Sequence, residues 1–149
     1  MENREIIRKR QKARKLLVQA LYQWQLNQDA VAEIVAQFMA DNNVDKFDNE
    51  YFITGLRQII SQIKEIDAHI IACLDRNMEK LNPVELSVLR LSTYEFLHCL
   101  SIPFRVVIDE AISLVKTYGA VEGHRYVNGV LHCLASKLRA IELEHTKKP

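Results

Sequence analysis

Seven cationic side chains fall within the first fifteen residues: Arg4, Arg8, Lys9, Arg10, Lys12, Arg14 and Lys15, against Glu2 and Glu5, a local balance of +5. A block of this kind can neutralise phosphates along a nucleic-acid strand and release their counterions. Residues 16–75 hold nine acids and three bases, so the net charge of +1 conceals a basic arm on an acidic half-molecule. On a helical wheel Arg4, Arg8, Lys12 and Lys15 oppose the stripe of Leu16, Ala20 and Trp24, whereas Arg10 and Arg14 sit at its shoulder. Packing there would orient their planar guanidinium groups for phosphate forks or base stacking. Cations in the first turns of a helix are unfavourable by about 0.3–1 kcal/mol each, so folding alone does not ask for them. An anionic partner would offset the repulsion; a plain solvated helix start is the alternative.

Lys116, Tyr118, His124, Arg125 and Tyr126 gather around Gly119. Rings beside cations at a helix start are the parts of a single-strand platform, although tyrosines at such turns also serve simply as packing groups. Catalytic readings find less support. His98-Cys99, His132-Cys133 and Asp109-Glu110 are sequence neighbours, which point about 100° apart on a helix and cannot cooperate unaided. No zinc-ligand spacing and no glycine-rich phosphate loop occurs, so neither enzyme, metal nor cofactor is expected. Cys73, Cys99 and Cys133 are odd in number and widely spaced, and are expected to be buried small hydrophobes without a disulfide. The N-terminus shows no secretory or membrane-spanning run, and a cytoplasmic location is expected.

Helices must carry these groups. Only four Gly and three Pro occur, and no segment alternates with a period of two, so an all-α bundle of six or seven amphipathic helices is predicted. The first spans about residues 5–27. A second pattern, Val31, Ile34, Val35 and Phe38, ends at Asp41-Asn42-Asn43. Asp48 can cap a third, with Phe52, Leu56, Ile59, Ile60 and Ile63 inward and further turns reaching Asp75. Asn82-Pro83-Val84-Glu85 is a capping-box-like start, and Pro103 breaks the helix it opens. A helix over about 104–118 ends at Gly119, which suits the position after its C-cap. The last helix covers about 122–140, and the charged tail after Glu142 is expected to fray. The polar stretch 75–82 is the natural place for a division into sub-bundles.

Residues 10–28 (RQKARKLLVQALYQWQLNQ), 83–97 (PVELSVLRLSTYEFL) and 102–131 (IPFRVVIDEAISLVKTYGAVEGHRYVNGVL) together resemble the NusB family of transcription antitermination factors. The resemblance implies two three-helix sub-bundles packed roughly perpendicular, one over about 1–77 and one over about 78–149. It also implies binding of single-stranded boxA RNA together with NusE, a small-subunit ribosomal protein, within the RNA polymerase antitermination complex, in support of ribosomal RNA transcription. Carried over to this chain, the RNA-binding positions are Arg10, Lys12, Arg14 and Lys15 with Tyr118, Arg125 and Tyr126. The NusE-binding positions are Tyr22, Glu85 and Arg90. Where relatives often have three successive arginines this chain has Gln11 and Lys12, and Glu122 replaces a frequent Asp while keeping a capping role open. A protein-only adaptor or homodimer is a competing reading. So is the helical domain that precedes the catalytic domain of some RNA cytosine methyltransferases, which would need a sheet beyond Pro149.

Overall fold

In a computed structural model describing residues 2–119 and 122–147, the chain forms eight α-helices and no strand among the described residues. They are α1 (Glu2–Asn27), α2 (Val31–Asp41), α3 (Asn49–Ser61), α4 (Ile63–Ile71), α5 (Pro83–His98), α6 (Phe104–Tyr118), α7 (Gly123–Leu138) and α8 (Ala140–Lys147). Short 3-10 turns occupy Val44–Lys46 and Met78–Lys80. The fold is all-α, as the periodicity predicts. No described helix is long and apolar enough to cross a membrane.

Two compact units divide at Gln62 and Ile63. The first holds α1 to α3. Ala13, Leu16, Leu17, Ala20 and Leu21 of α1 are buried against Ile34 and Phe38 of α2 and Phe52, Leu56 and Ile59 of α3. Phe52 anchors this core, with the Phe38 ring stacked on it at 5.5 Å and the Phe47 ring edge-on at 6.0 Å. Asp48 caps α3 by accepting the Tyr51 N–H at 3.0 Å, as its sequence position predicts. Gln28, in the left-handed region at φ 56°, ends α1, and its N–H returns to Trp24 O at 2.8 Å.

The boundary therefore falls before α4 rather than near residue 77, and the second unit holds five helices rather than three. What looks in sequence like one helix running on from α3 is interrupted at Gln62. Beyond it α4 packs on α5, where Arg90 grips Asp67 through Nε (2.9 Å) and Nη2 (2.8 Å). Asn82 opens α5 by accepting the Val84 N–H at 2.8 Å. Eleven of the sixteen residues of α5 are buried, from Glu85 to Phe96, so it is the axis of this unit. Its buried hydroxyls bond back one turn, Ser92 to Val88 O (2.8 Å) and Thr93 to Leu89 O (2.7 Å).

The far end of α5 is closed by Arg139, which is 5% exposed. Its guanidinium donates to the carbonyls of Glu95 (3.2 Å), Phe96 (2.9 Å), Cys99 (3.1 Å) and Ile102 (2.9 Å), and to Glu142 Oε1 at 2.6 Å. Glu142 Oε2 in turn accepts the Phe104 N–H at 2.9 Å, capping α6. These bonds anchor the start of α8, which is helical as far as Lys147. Gly119 also differs from expectation. Its backbone is extended (φ −93°, ψ −178°), and glycine is required there because a Cβ would lie 2.8 Å from Val115 O.

Two of the three cysteines correct the sequence reading. Cys73 and Cys133 form a disulfide, with Cα atoms 5.9 Å apart, tying the segment after α4 to α7; Cys99 is half-buried and outside the disulfide. Sequence spacing could not reveal the pair because the closing loop spans 60 residues. A cross-link over 60 residues contributes about 2–4 kcal/mol through the unfolded chain, so reduction should lower stability by that amount in a urea melt followed by circular dichroism. Arg139→Ala should cost about 3–5 kcal/mol by the same measurement, since it strips a buried charge network of one partner.

Candidate nucleic-acid interface

Local helix periodicity sorts the bases of α1. Arg4, Arg8, Lys12 and Lys15 are exposed, as the wheel predicts. Arg10 is half-buried and pre-oriented: Nε donates to Asp48 Oδ2 at 3.1 Å, and the guanidinium lies 3.8 Å over the Tyr51 ring. The Asp48 N–H reaches back to Lys9 O at 3.1 Å, fixing the start of α1 against the turn before α3. The basic arm is thus helical from Glu2. Arg14 differs from its expected part in an oriented surface contact. It is 4% exposed, because it shares the buried side of α1 with Ala13, Leu16 and Leu17. Tyr22, 38% exposed, lies beside the exposed Leu26 over a groove between α1 and α2.

In the second unit Tyr118 closes α6 and is 39% exposed, while Arg125 (exposed) and Tyr126 (half-buried) stand in the first turn of α7. Ala120 and Val121, part of the turn motif between them, lie outside the described residues. Glu122 makes no side-chain capping bond to α7, so the capping role left open for it is not taken up. Glu85 and Arg90 are each 8% exposed. Glu85 accepts the Asn82 N–H and lies so close to Gly123 that a Cβ there would overlap its carboxylate. With Arg90 committed to Asp67, both residues serve the fold of this unit, and Tyr22 is the surface member of the three expected partner-binding positions.

The segment between α4 and α5 adds two residues that sequence spacing does not signal. The Arg76 guanidinium lies 3.9 Å over the Tyr126 ring. Asp75 Oδ1 accepts from both Arg76 Nε and the Tyr126 hydroxyl, each at 2.9 Å. Hydrogen bonds from Arg76 and then Tyr126 hold the Asp75 carboxyl below its ordinary pKa. Burial, with the Asp75 bond second, pushes the Tyr126 phenol up. Glu85 is raised chiefly by burial, against the opposing charge of Arg76 and the Asn82 N–H. A raised carboxyl contributes stability below the ordinary Glu range and loses it as pH rises through the folded-state value. Glu85→Gln should therefore raise the melting temperature at pH 7, and the gain should vanish in melts below the ordinary Glu range.

Fold and surfaces define a class first: an all-α protein of two compact helical units whose conspicuous side chains are exposed cations and rings. The chain belongs to the NusB family, whose model matches residues 11–136. It is 45% identical over 140 residues to the transcription antitermination protein NusB of Legionella pneumophila strain Corby, covering 94% of this chain and 95% of that one. It is 47% identical to NusB of Pseudomonas savastanoi pv. phaseolicola, covering 94% and 85%. Among solved structures, Thermotoga maritima NusB superposes with a TM-score of 0.79 at 29% identity, covering 90% of this chain and 96% of that one. A crystal structure of NusB and NusE in complex with double-stranded RNA gives 0.76 at 27% identity, covering 85% and 96%.

Proposed function

We propose that this protein is a transcription antitermination factor that binds single-stranded boxA RNA together with NusE, as part of the cytoplasmic RNA polymerase complex that transcribes ribosomal RNA. It acts by binding, not catalysis. The observation that carries the reading is the exposure of Arg4, Arg8, Lys12 and Lys15 along one face of α1, with Arg4 in the first turn, where the helix dipole disfavours a cation. Arg10, held by Asp48 and Tyr51, presents an oriented guanidinium beside them. Tyr118, Arg125 and Tyr126 supply rings and charge at the α6–α7 turn, where unpaired bases stack and phosphates meet amides of a helix start. Arg14 supports α1 from within. Tyr22, with Leu26 beside it, offers an amphipathic ring to a protein partner, and the relative solved with NusE makes that protein the natural candidate.

The RNA named in that relative's structure is double-stranded, whereas rings at a turn favour unpaired bases, so the strand state is itself part of the test. Titrations with and without NusE should show single-stranded boxA bound in preference to its duplex and to an unrelated strand. For roughly four neutralised phosphates, log affinity should fall against log salt with a slope of about −3. A flat salt response, or equal affinity for unrelated RNA in the presence of NusE, would sink the reading.

A further inference from the structure

We propose that Arg76 is a further RNA-contacting residue of the Tyr126 surface, and that the Asp75 carboxylate occupies in the RNA-free protein the place a backbone phosphate takes on binding. This inference rests on the RNA reading above and deepens it at one point.

The geometry is that of an anion site filled from within. One carboxylate oxygen accepts a guanidinium N–H and a phenol O–H, both at 2.9 Å. A non-bridging phosphate oxygen asks for the same two donors and gains the same charge assistance. The guanidinium, stacked at 3.9 Å on the Tyr126 ring, extends that ring outward, and the Arg76 side chain is 48% exposed. Its outer face is a planar cationic surface on which an unpaired base can stack. Asp75 is 70% exposed at its side chain, so its ion pair is screened and weak, and an incoming polyanion can displace it.

The segment is held in register for this exchange. Its start lies against α7, where the Cα atoms of Cys73 and Cys133 are 5.9 Å apart and Lys137 Nζ donates to Ala72 O at 3.4 Å. The charge of Arg76 also acts on the buried Glu85, opposing the rise that burial gives its carboxyl. The hydrogen bonds from Arg76 and Tyr126 engage the Asp75 carboxylate and hold its pKa below the ordinary value, which makes it a competitor for these donors.

The test is fluorescence anisotropy of a labelled single-stranded boxA oligonucleotide with the full chain and NusE, for the wild type, Asp75→Asn, Arg76→Ala, Arg76→Lys and Tyr126→Ala. Asp75→Asn should tighten binding about three- to tenfold, since it removes a charge that competes with and repels phosphate. Arg76→Ala should weaken binding by about tenfold and make the log–log salt slope shallower by about 0.7, one phosphate contact on a single strand. Arg76→Lys should keep the slope but not the full affinity, because the point charge remains while the stacking plane is lost. Circular dichroism melts should be unchanged for Asp75→Asn and for Arg76→Lys, which keeps the charge acting on Glu85, and Arg76→Ala should remain folded at the temperature of the titration. Wild-type binding that falls with Tyr126→Ala but is unchanged or weakened by Asp75→Asn overturns the proposal alone. Wild-type protein that ignores boxA with NusE present overturns the RNA reading and this proposal together.

Discussion

The end of α5 in the second unit is closed by one buried cation, Arg139. A helix enclosed on most of its circumference, as α5 is, cannot leave its last carbonyls to water. Arg139 supplies the missing donors, reaching the carbonyls of Glu95, Phe96, Cys99 and Ile102 from the end of α7. Its charge is balanced by Glu142, whose second oxygen caps the first N–H of α6. One guanidinium thereby fixes the end of α5, the turn into α6 and the junction of α7 with α8. The positions of Tyr118 at one end of α6 and of Arg125 and Tyr126 at the start of α7 follow from that scaffold, so the exposed rings are placed by rigid elements rather than by loops.

Electrostatics in the first unit works by sorting rather than burial. The same helical period that turns Ala13, Leu16 and Leu17 inward carries Arg14 with them and leaves Arg8, Lys12 and Lys15 outside. Arg10 falls between, and the Asp48 carboxylate that caps α3 also neutralises it. A cap, an ion pair and a ring stack thus share three residues. In the second unit Arg76 repeats the arrangement, bonded to the Asp75 carboxylate and stacked on the Tyr126 ring. The two surfaces differ in what surrounds that pair: the α1 face adds the exposed Arg4, Arg8, Lys12 and Lys15, and the Tyr126 face adds Tyr118 and Arg125.

Features set by neighbours in the chain were legible in the sequence. The caps at Asp48 and Asn82 depend on one side chain and an N–H two or three residues on, and both formed. The exposed and inward faces of α1 follow from a period of 3.6 residues. Features set by distant contacts were not legible. The interruption at Gln62 has no Gly or Pro to announce it; tertiary packing of α4 on α5 decides it. The start of α8 is anchored by Arg139 and Glu142, whose partners lie about forty residues away. The disulfide joins cysteines that share no motif, and the rule that odd, scattered cysteines stay reduced fails where folding brings two of them together. The family resemblance carried Tyr118, Arg125 and Tyr126 to a surface, but it also carried Arg14, Glu85 and Arg90, whose burial only coordinates reveal. Asp75 and Arg76 gave no signal at all, being two polar residues in a connecting segment.

The central claim is that RNA meets this protein through the outer face of α1 and the rings at the start of α7. Mapping backbone amide shifts of isotope-labelled protein by NMR, as boxA RNA is added at moderate ionic strength, tests it most directly. The account predicts perturbations concentrated at Arg8 to Lys15, at Asp75 and Arg76, and at Tyr118, Arg125 and Tyr126. Perturbations confined to the groove that Ile108 and Ile112 of α6 line with Asn128 and His132 of α7, or none at any RNA concentration, would contradict it.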